Sequence, residues 1–228
     1  MSNRIKITIS LFVFIGFIGL ILISDGFDIP DNITVSESYD GFPVIVLDAG
    51  HGGYDPGAVK DDILEKDINL SITQRTRDVL ILLGFETMLT RNDDKALGNN
   101  KATDLKNRVN LANSYDNAYF ISIHQNMFEK SKYYGSQVFY GGCKGEDLAK
   151  QIQSSIISHL QNDNKRVVKN GNYLYVLEHT DNTSVMIECG FMSNPSELEK
   201  LTNENYQNSL SYIIGISILG FVLDESSV

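Results

Sequence analysis

Short apolar runs rich in β-branched residues alternate along this chain with longer stretches of helical spacing, and that alternation narrows the folds open to it. Pro43 to Asp48, Phe85 to Thr90, Ala118 to Ile123, Gly135 to Tyr140 and Ser184 to Cys189 read as strands. Several are apolar nearly throughout, as expected of strands covered on both faces. Lys66 to Leu83, Asp104 to Ser114 and Glu146 to Leu160 carry apolar residues at helical spacing, and Gly84 closes the first. Tyr206 to Leu223 reads as an apolar terminal helix packed on the sheet, since its wholly apolar part is too short to cross a bilayer. The pattern predicts a single α/β domain with a mostly parallel, twisted sheet flanked by helices.

The domain begins only at residue 43. Ahead of it, Arg4 and Lys6 precede an apolar run of 17 residues from Ile7 to Ile23. That length is at the lower edge of what crosses a bilayer, and the flanking charges place the N-terminus in the cytoplasm and the rest outside. No small-residue cleavage site follows, so residues 1–24 read as an uncleaved membrane anchor rather than a removed signal peptide. Residues 25–42, polar and containing Pro30, read as a linker. The expected location is outside the cytoplasmic membrane, anchored on its outer face or secreted.

With 29 acidic residues against 19 basic ones and no Lys/Arg cluster, the chain is a poor partner for nucleic acid. An anionic wall polymer would have to be recognised by short-range contacts. Two cysteines make no disulfide framework, and Cys189, inside an apolar strand, reads as a buried thiol.

Three polar residues follow or end a strand: His51, His124 and Glu188. A fourth, Glu65, precedes the first long helix, on a loop from the same edge of the sheet. Parallel neighbouring strands would gather all of them at the carboxyl edge, where such sheets place their functional groups. Two imidazoles and a carboxylate are the ligand set of a zinc ion with one open position, and the second carboxylate would be free as a base. Histidines after strands are also common structural residues, and Glu65 could simply favour a helix N-terminus. Spacing alone leaves both readings open. Glu188 is harder to place as structure, because it interrupts an apolar strand and buried charge needs a partner or a task. His159 and His179 read as surface residues.

The segments 47–58 (Leu-Asp-Ala-Gly-His-Gly-Gly-Tyr-Asp-Pro-Gly-Ala), 65–70 (Glu-Lys-Asp-Ile-Asn-Leu), 122–126 (Ser-Ile-His-Gln-Asn) and 187–194 (Ile-Glu-Cys-Gly-Phe-Met-Ser-Asn) resemble, in order and spacing, the catalytic domain of Amidase_3-class N-acetylmuramoyl-L-alanine amidases. Thr90-Arg91 and Arg108 with Ala112-Asn113 belong to the same likeness, which spans residues 43–223. It implies the family's α/β fold, zinc (Zn2+) held by His51, Glu65 and His124, and Glu188 as the catalytic carboxylate. The substrate implied is peptidoglycan, cut between muramic acid and L-alanine. The anchored single-domain layout resembles the sporulation type that acts on spore cortex, which implies a forespore envelope location. It also implies an activator protein that stabilises zinc binding. Asn126 and the Gly52-Gly53 turn are the candidates for substrate binding, and backbone geometry explains the glycines equally well. Arg91 and Arg108 suit structural ion pairs better than peptide carboxylates. Two departures stand out: Gln125 beside His124, where a small residue is common, and a 178–184 stretch with Glu178 and no proline. The rivals are a zinc carboxypeptidase or endopeptidase of the stem peptide, and a catalytically silent wall-binding regulator.

Overall fold

The computed structural model describes residues 41–142 and 144–225; the expected anchor, nearly all of the linker and Cys143 lie outside them. Six strands form one sheet: β1 (Val44–Ala49), β4 (Thr87–Leu89), β5 (Ala118–Asn126), β6 (Gln137–Gly141), β7 (Lys169–Asn170) and β8 (Thr183–Phe191). Their order is β4-β1-β5-β8-β6-β7. β4, β1, β5 and β8 run parallel, and β6 lies antiparallel against β8. A short hairpin of β2 (Val59–Lys60) and β3 (Ile63–Leu64) leads into the first helix. The mostly parallel sheet expected from the sequence is present, with β6 and the two-residue β7 beside it reversed. The pattern of Gly135 to Tyr140 marked β6 without giving its direction.

The helices are α1 (Glu65–Leu82), α2 (Lys101–Ala112), α3 (Gly145–His159), α4 (Tyr175–Glu178), α5 (Pro195–Leu201) and α6 (Glu204–Glu225). Local signals set their ends. Asn100 caps α2 by accepting from Thr103 N–H, and Asn194 caps α5 ahead of Pro195 at its first position. Alternate residues of each strand face opposite layers. Val46, Phe120 and Met186 pack with Val109 of α2 and Val176 and Leu177 of α4. On the other face α6 packs against both α1 and α3, and Leu47, Ile121, Ile187, Ile72, Ile152 and Ile214 are all fully buried.

α6 is long and apolar enough to cross a membrane by composition alone, but Leu210, Ile214 and Ile218 are buried within the domain. It approaches α1 closely at Gly215, where a Cβ would lie 2.5 Å from a Val79 methyl. α1 begins at Glu65 itself, which corrects the expectation of Glu65 on a preceding loop. A carboxylate in the first turn is stabilised by the helix dipole, so the helix extends to include it.

Candidate active site

β1 brings the chain to the carboxyl edge of the sheet, and Gly50 and His51 turn away from it. His51 has φ +63°, a left-handed conformation that costs a non-glycine residue energy. Two buried arginines hold the turn. Arg108 donates to the carbonyls of Ala49 (2.8 Å) and His51 (2.7 Å), and pairs with Asp48 and Asp104 at 2.6 Å each. Arg91 donates to the carbonyls of Ala49, Gly50 and Lys66. Both arginines are structural, Arg108 through carboxylates and Arg91 through carbonyls. Burial opposes ionisation of Asp48, but the Arg108 guanidinium and the Ser122 hydroxyl outweigh it and hold the pKa below the usual carboxylate range.

Asp55 accepts from His51 Nδ1 at 2.9 Å and fixes the ring. The other ring nitrogen lies 3.3 Å from Glu65 Oε2. Glu65 Oε1 lies 3.0 Å from His124 Nδ1 and accepts the Gln125 amide at 3.0 Å. Its second oxygen accepts the Ala58 amide at 2.8 Å. Burial disfavours the Glu65 charge, yet these imidazole contacts drive its pKa far below the ordinary value. For His51, burial is likewise overcome by Glu65 and Asp55, and its pKa is raised. One ligand atom from each of His51, Glu65 and His124 lies within 4.8 Å of the others, so the three could hold a metal ion. Glycine makes the cradle: a Cβ on Gly50 would run into the His124 ring, and one on Gly57 would sit 2.6 Å from Glu65 Oε2.

His124 and Glu188 lie within β5 and β8, directly opposite one another in the ladder. Both strands continue past the expected strand ends, through a register shift between His124 and Asn126. Glu188 is half-buried, and its Oε2 is buried without a hydrogen-bond partner among the described residues. Burial foremost, with the neighbouring Glu65 charge, pushes its pKa up to about 7 against the pull of the two imidazoles. It faces an open groove of about 460 Å³ lined also by Asn126, Tyr133, Gln137, Arg166 and Phe191. Because β6 runs antiparallel, the segments before it (127–136) and after α3 (160–168) both enter at this edge and form the far wall.

Residues 45–219 match the Amidase_3 family, N-acetylmuramoyl-L-alanine amidase. The chain belongs to this family. It is a peptidoglycan hydrolase that cleaves the amide between N-acetylmuramic acid and L-alanine. The germination-specific N-acetylmuramoyl-L-alanine amidase of Bacillus subtilis is 35% identical over 192 residues, covering 80% of this chain and 81% of that protein. Among solved structures, the CwlD amidase of Clostridioides difficile in complex with the GerS lipoprotein has 39% identity and a TM-score of 0.76, covering 80% of this chain and 99% of that one. An N-acetylmuramoyl-L-alanine amidase of Clostridium difficile 630 has 30% identity and a TM-score of 0.72, covering 80% and 97%.

In this amidase the four residues expected to carry the chemistry, His51, Glu65, His124 and Glu188, stand together, and Asn126 lines the groove beside them. Gly52 and Gly53 stand apart in kind. The Cβ each lacks would collide with the Lys95 carbonyl (2.5 Å) and the Ala96 amide nitrogen (2.8 Å), so the close approach they permit is that of the chain's own 95–96 segment. The exposed His159 and His179 bond backbone carbonyls one turn back and belong to neither the donor cluster nor the groove lining, and Cys189 is a buried free thiol whose pKa burial raises. Sequence reading missed Asp55, although it lies four residues after His51 in the same motif. It also missed Asn69, one turn after Glu65, which donates to Glu65 Oε1 and the Gly50 carbonyl and accepts from Gln125. Gln125, the departure beside His124, is thereby absorbed into the support of Glu65.

Proposed function

We propose that His51, Glu65 and His124 hold a zinc ion and that Glu188 is the proton-transferring carboxylate of the amidase reaction. The observation that carries this is the convergence of three donors next to a carboxylate oxygen with no hydrogen-bond partner among the described residues. Bound zinc supplies Lewis acidity toward the amide carbonyl and the attacking water. Glu188, a carboxylate whose pKa burial raises, is placed to take the proton of that water and return it to the departing alanine nitrogen. Asp55 keeps the His51 ring oriented, and Asn69 does the same for Glu65. Asn126 presents an amide to substrate in the groove. The Gly52-Gly53 turn contributes by seating the His51 loop on residues 95–96.

The biological setting is spore cortex, a reading supported by the likeness to a germination-specific amidase and to CwlD. The CwlD structure contains a lipoprotein, GerS, which supports a docking activator for this chain as well, one that stabilises the zinc-bound form. Residues 1–24 serve as the anchor that holds the domain on the outer face of the membrane.

Purified protein with zinc, incubated with defined muropeptides, should release intact stem peptides with a free L-alanine amine, read by mass spectrometry. Cleavage inside the stem would support the carboxypeptidase or endopeptidase alternative, and no cleavage the silent regulator. Glu188→Gln should keep about one zinc per chain by elemental analysis while turnover drops by roughly two to four orders of magnitude. Loss of zinc from that variant would make Glu188 a ligand instead.

A further inference from the structure

The far wall of the groove carries positive charge that no carboxylate within ion-pair distance neutralises among the described residues, although Arg166 acts at longer range on the buried Glu197. In a chain with net charge −10, Arg166 and Lys169 both line the groove that holds Glu188, and neither has an ion pair among the described residues. Arg166 is held in place rather than free. Its Nε donates to the Tyr134 carbonyl at 2.7 Å, and one terminal nitrogen donates to Gln137 Oε1 at 3.2 Å. The guanidinium lies 4.3 Å from the centre of the Phe191 ring. The other terminal nitrogen has no acceptor among the described residues. An arginine fixed on three sides with one donor edge left over is preorganised to receive an anion.

Its position relative to the chemistry follows from the ladder. Gln137, which anchors Arg166, is the direct cross-strand partner of Glu188. An extended peptide advances about 3.3 Å per residue. A substrate whose first amide lies at Glu188 therefore brings its second or third peptide residue to the Arg166 wall. The stem peptide that this reaction releases carries carboxylates beyond its neutral L-alanine. A guanidinium nitrogen forms a charge-assisted hydrogen bond with such a group and none of comparable strength with a carboxamide. We propose that Arg166, assisted by Lys169, is a carboxylate-binding subsite that selects stem peptides bearing a free acid on the residue just beyond L-alanine. The inference rests on Glu188 being the catalytic carboxylate.

The test compares two muramoyl tripeptides that differ only in that group, free carboxylate against carboxamide, using the zinc-loaded full chain. The wild type should prefer the acid by roughly ten- to hundredfold in kcat/KM, the range of one charged hydrogen bond. Arg166→Gln should bring the ratio close to one by slowing hydrolysis of the acid, and Arg166→Lys should keep part of the preference. Lys169→Gln, at an exposed position, should lower the ratio by a smaller factor. Equal wild-type rates on the two substrates overturn the subsite. So does an Arg166→Gln variant that loses both activities together and keeps the ratio, since that is what loss of packing on Phe191 alone would do. Glu188→Gln is the separate control. Full activity in that variant overturns the catalytic assignment, and with it the premise of the subsite, whatever the acid preference of the wild type.

Discussion

His51 combines a strained backbone with two side-chain duties, and its neighbours show how the strain is held. A left-handed non-glycine residue costs about 1–2 kcal/mol. Here the Arg108 bond to its carbonyl and the Asp55 bond to its ring oppose any relaxation. Asp55 therefore sets which ring nitrogen faces Glu65. Asp55→Ala should weaken metal binding roughly 10- to 100-fold, measured by competition with a chromophoric chelator. Unchanged affinity would mean that the turn alone orients the ring. At this scale the site was legible wherever its residues sit in contiguous motifs. His51, Glu65, His124 and Glu188 each lie among residues whose pattern is distinctive. Arg166 and Gln137 carry no such local pattern, because they meet each other and Phe191 of the last motif only after three separate segments fold onto one edge.

Between elements, two joints carry the site. The first is Arg108 of α2, which is held by Asp104 on its own helix and ties that helix to β1 through Asp48. Folding lowers the Asp48 pKa, so the ionised pair adds stability above the ordinary carboxylate range, near pH 4, and the gain is lost as pH falls through the lower folded value. Urea titrations of the wild type and Asp48→Asn should show the wild type more stable at neutral pH, with the gap closing progressively below about pH 4. A gap that widened on acidification would contradict the pairing. The second joint is α6 against α1. Gly215→Leu forces a branched side chain onto Val79, which is itself stiff at χ1, and should destabilise the domain by about 1–3 kcal/mol in a denaturant melt. Wild-type stability would show that the helices can separate at no cost. Most strands and helices were readable from apolar period, since burial on two faces leaves a clear mark. The hairpin of β2 and β3, the two-residue β7, the single-turn α4 and the seven-residue α5 were not, because so few residues impose no period. The start of α1 was misplaced for a different reason: Glu65 belongs to the helix electrostatically before any apolar residue announces it.

For the molecule as a whole, orientation decides access to the wall. If residues 1–24 anchor the chain with its N-terminus inside, protease added to intact protoplasts should digest the domain. Protection until lysis would place the domain in the cytoplasm. The reversed strand β6 bears on a separate matter, the history such a domain can have. Its direction sends two connecting segments, 127–136 and 160–168, to the catalytic edge, while the residues that gather around Glu65 come from the loop after β1, from α1 and from β5. Substitutions or insertions in those two segments can redraw what the groove accepts without disturbing the strands that carry the chemistry. Lineages sharing one reaction can in this way diverge in the form of wall they digest, with selectivity drifting on loops while the reactive centre stays still.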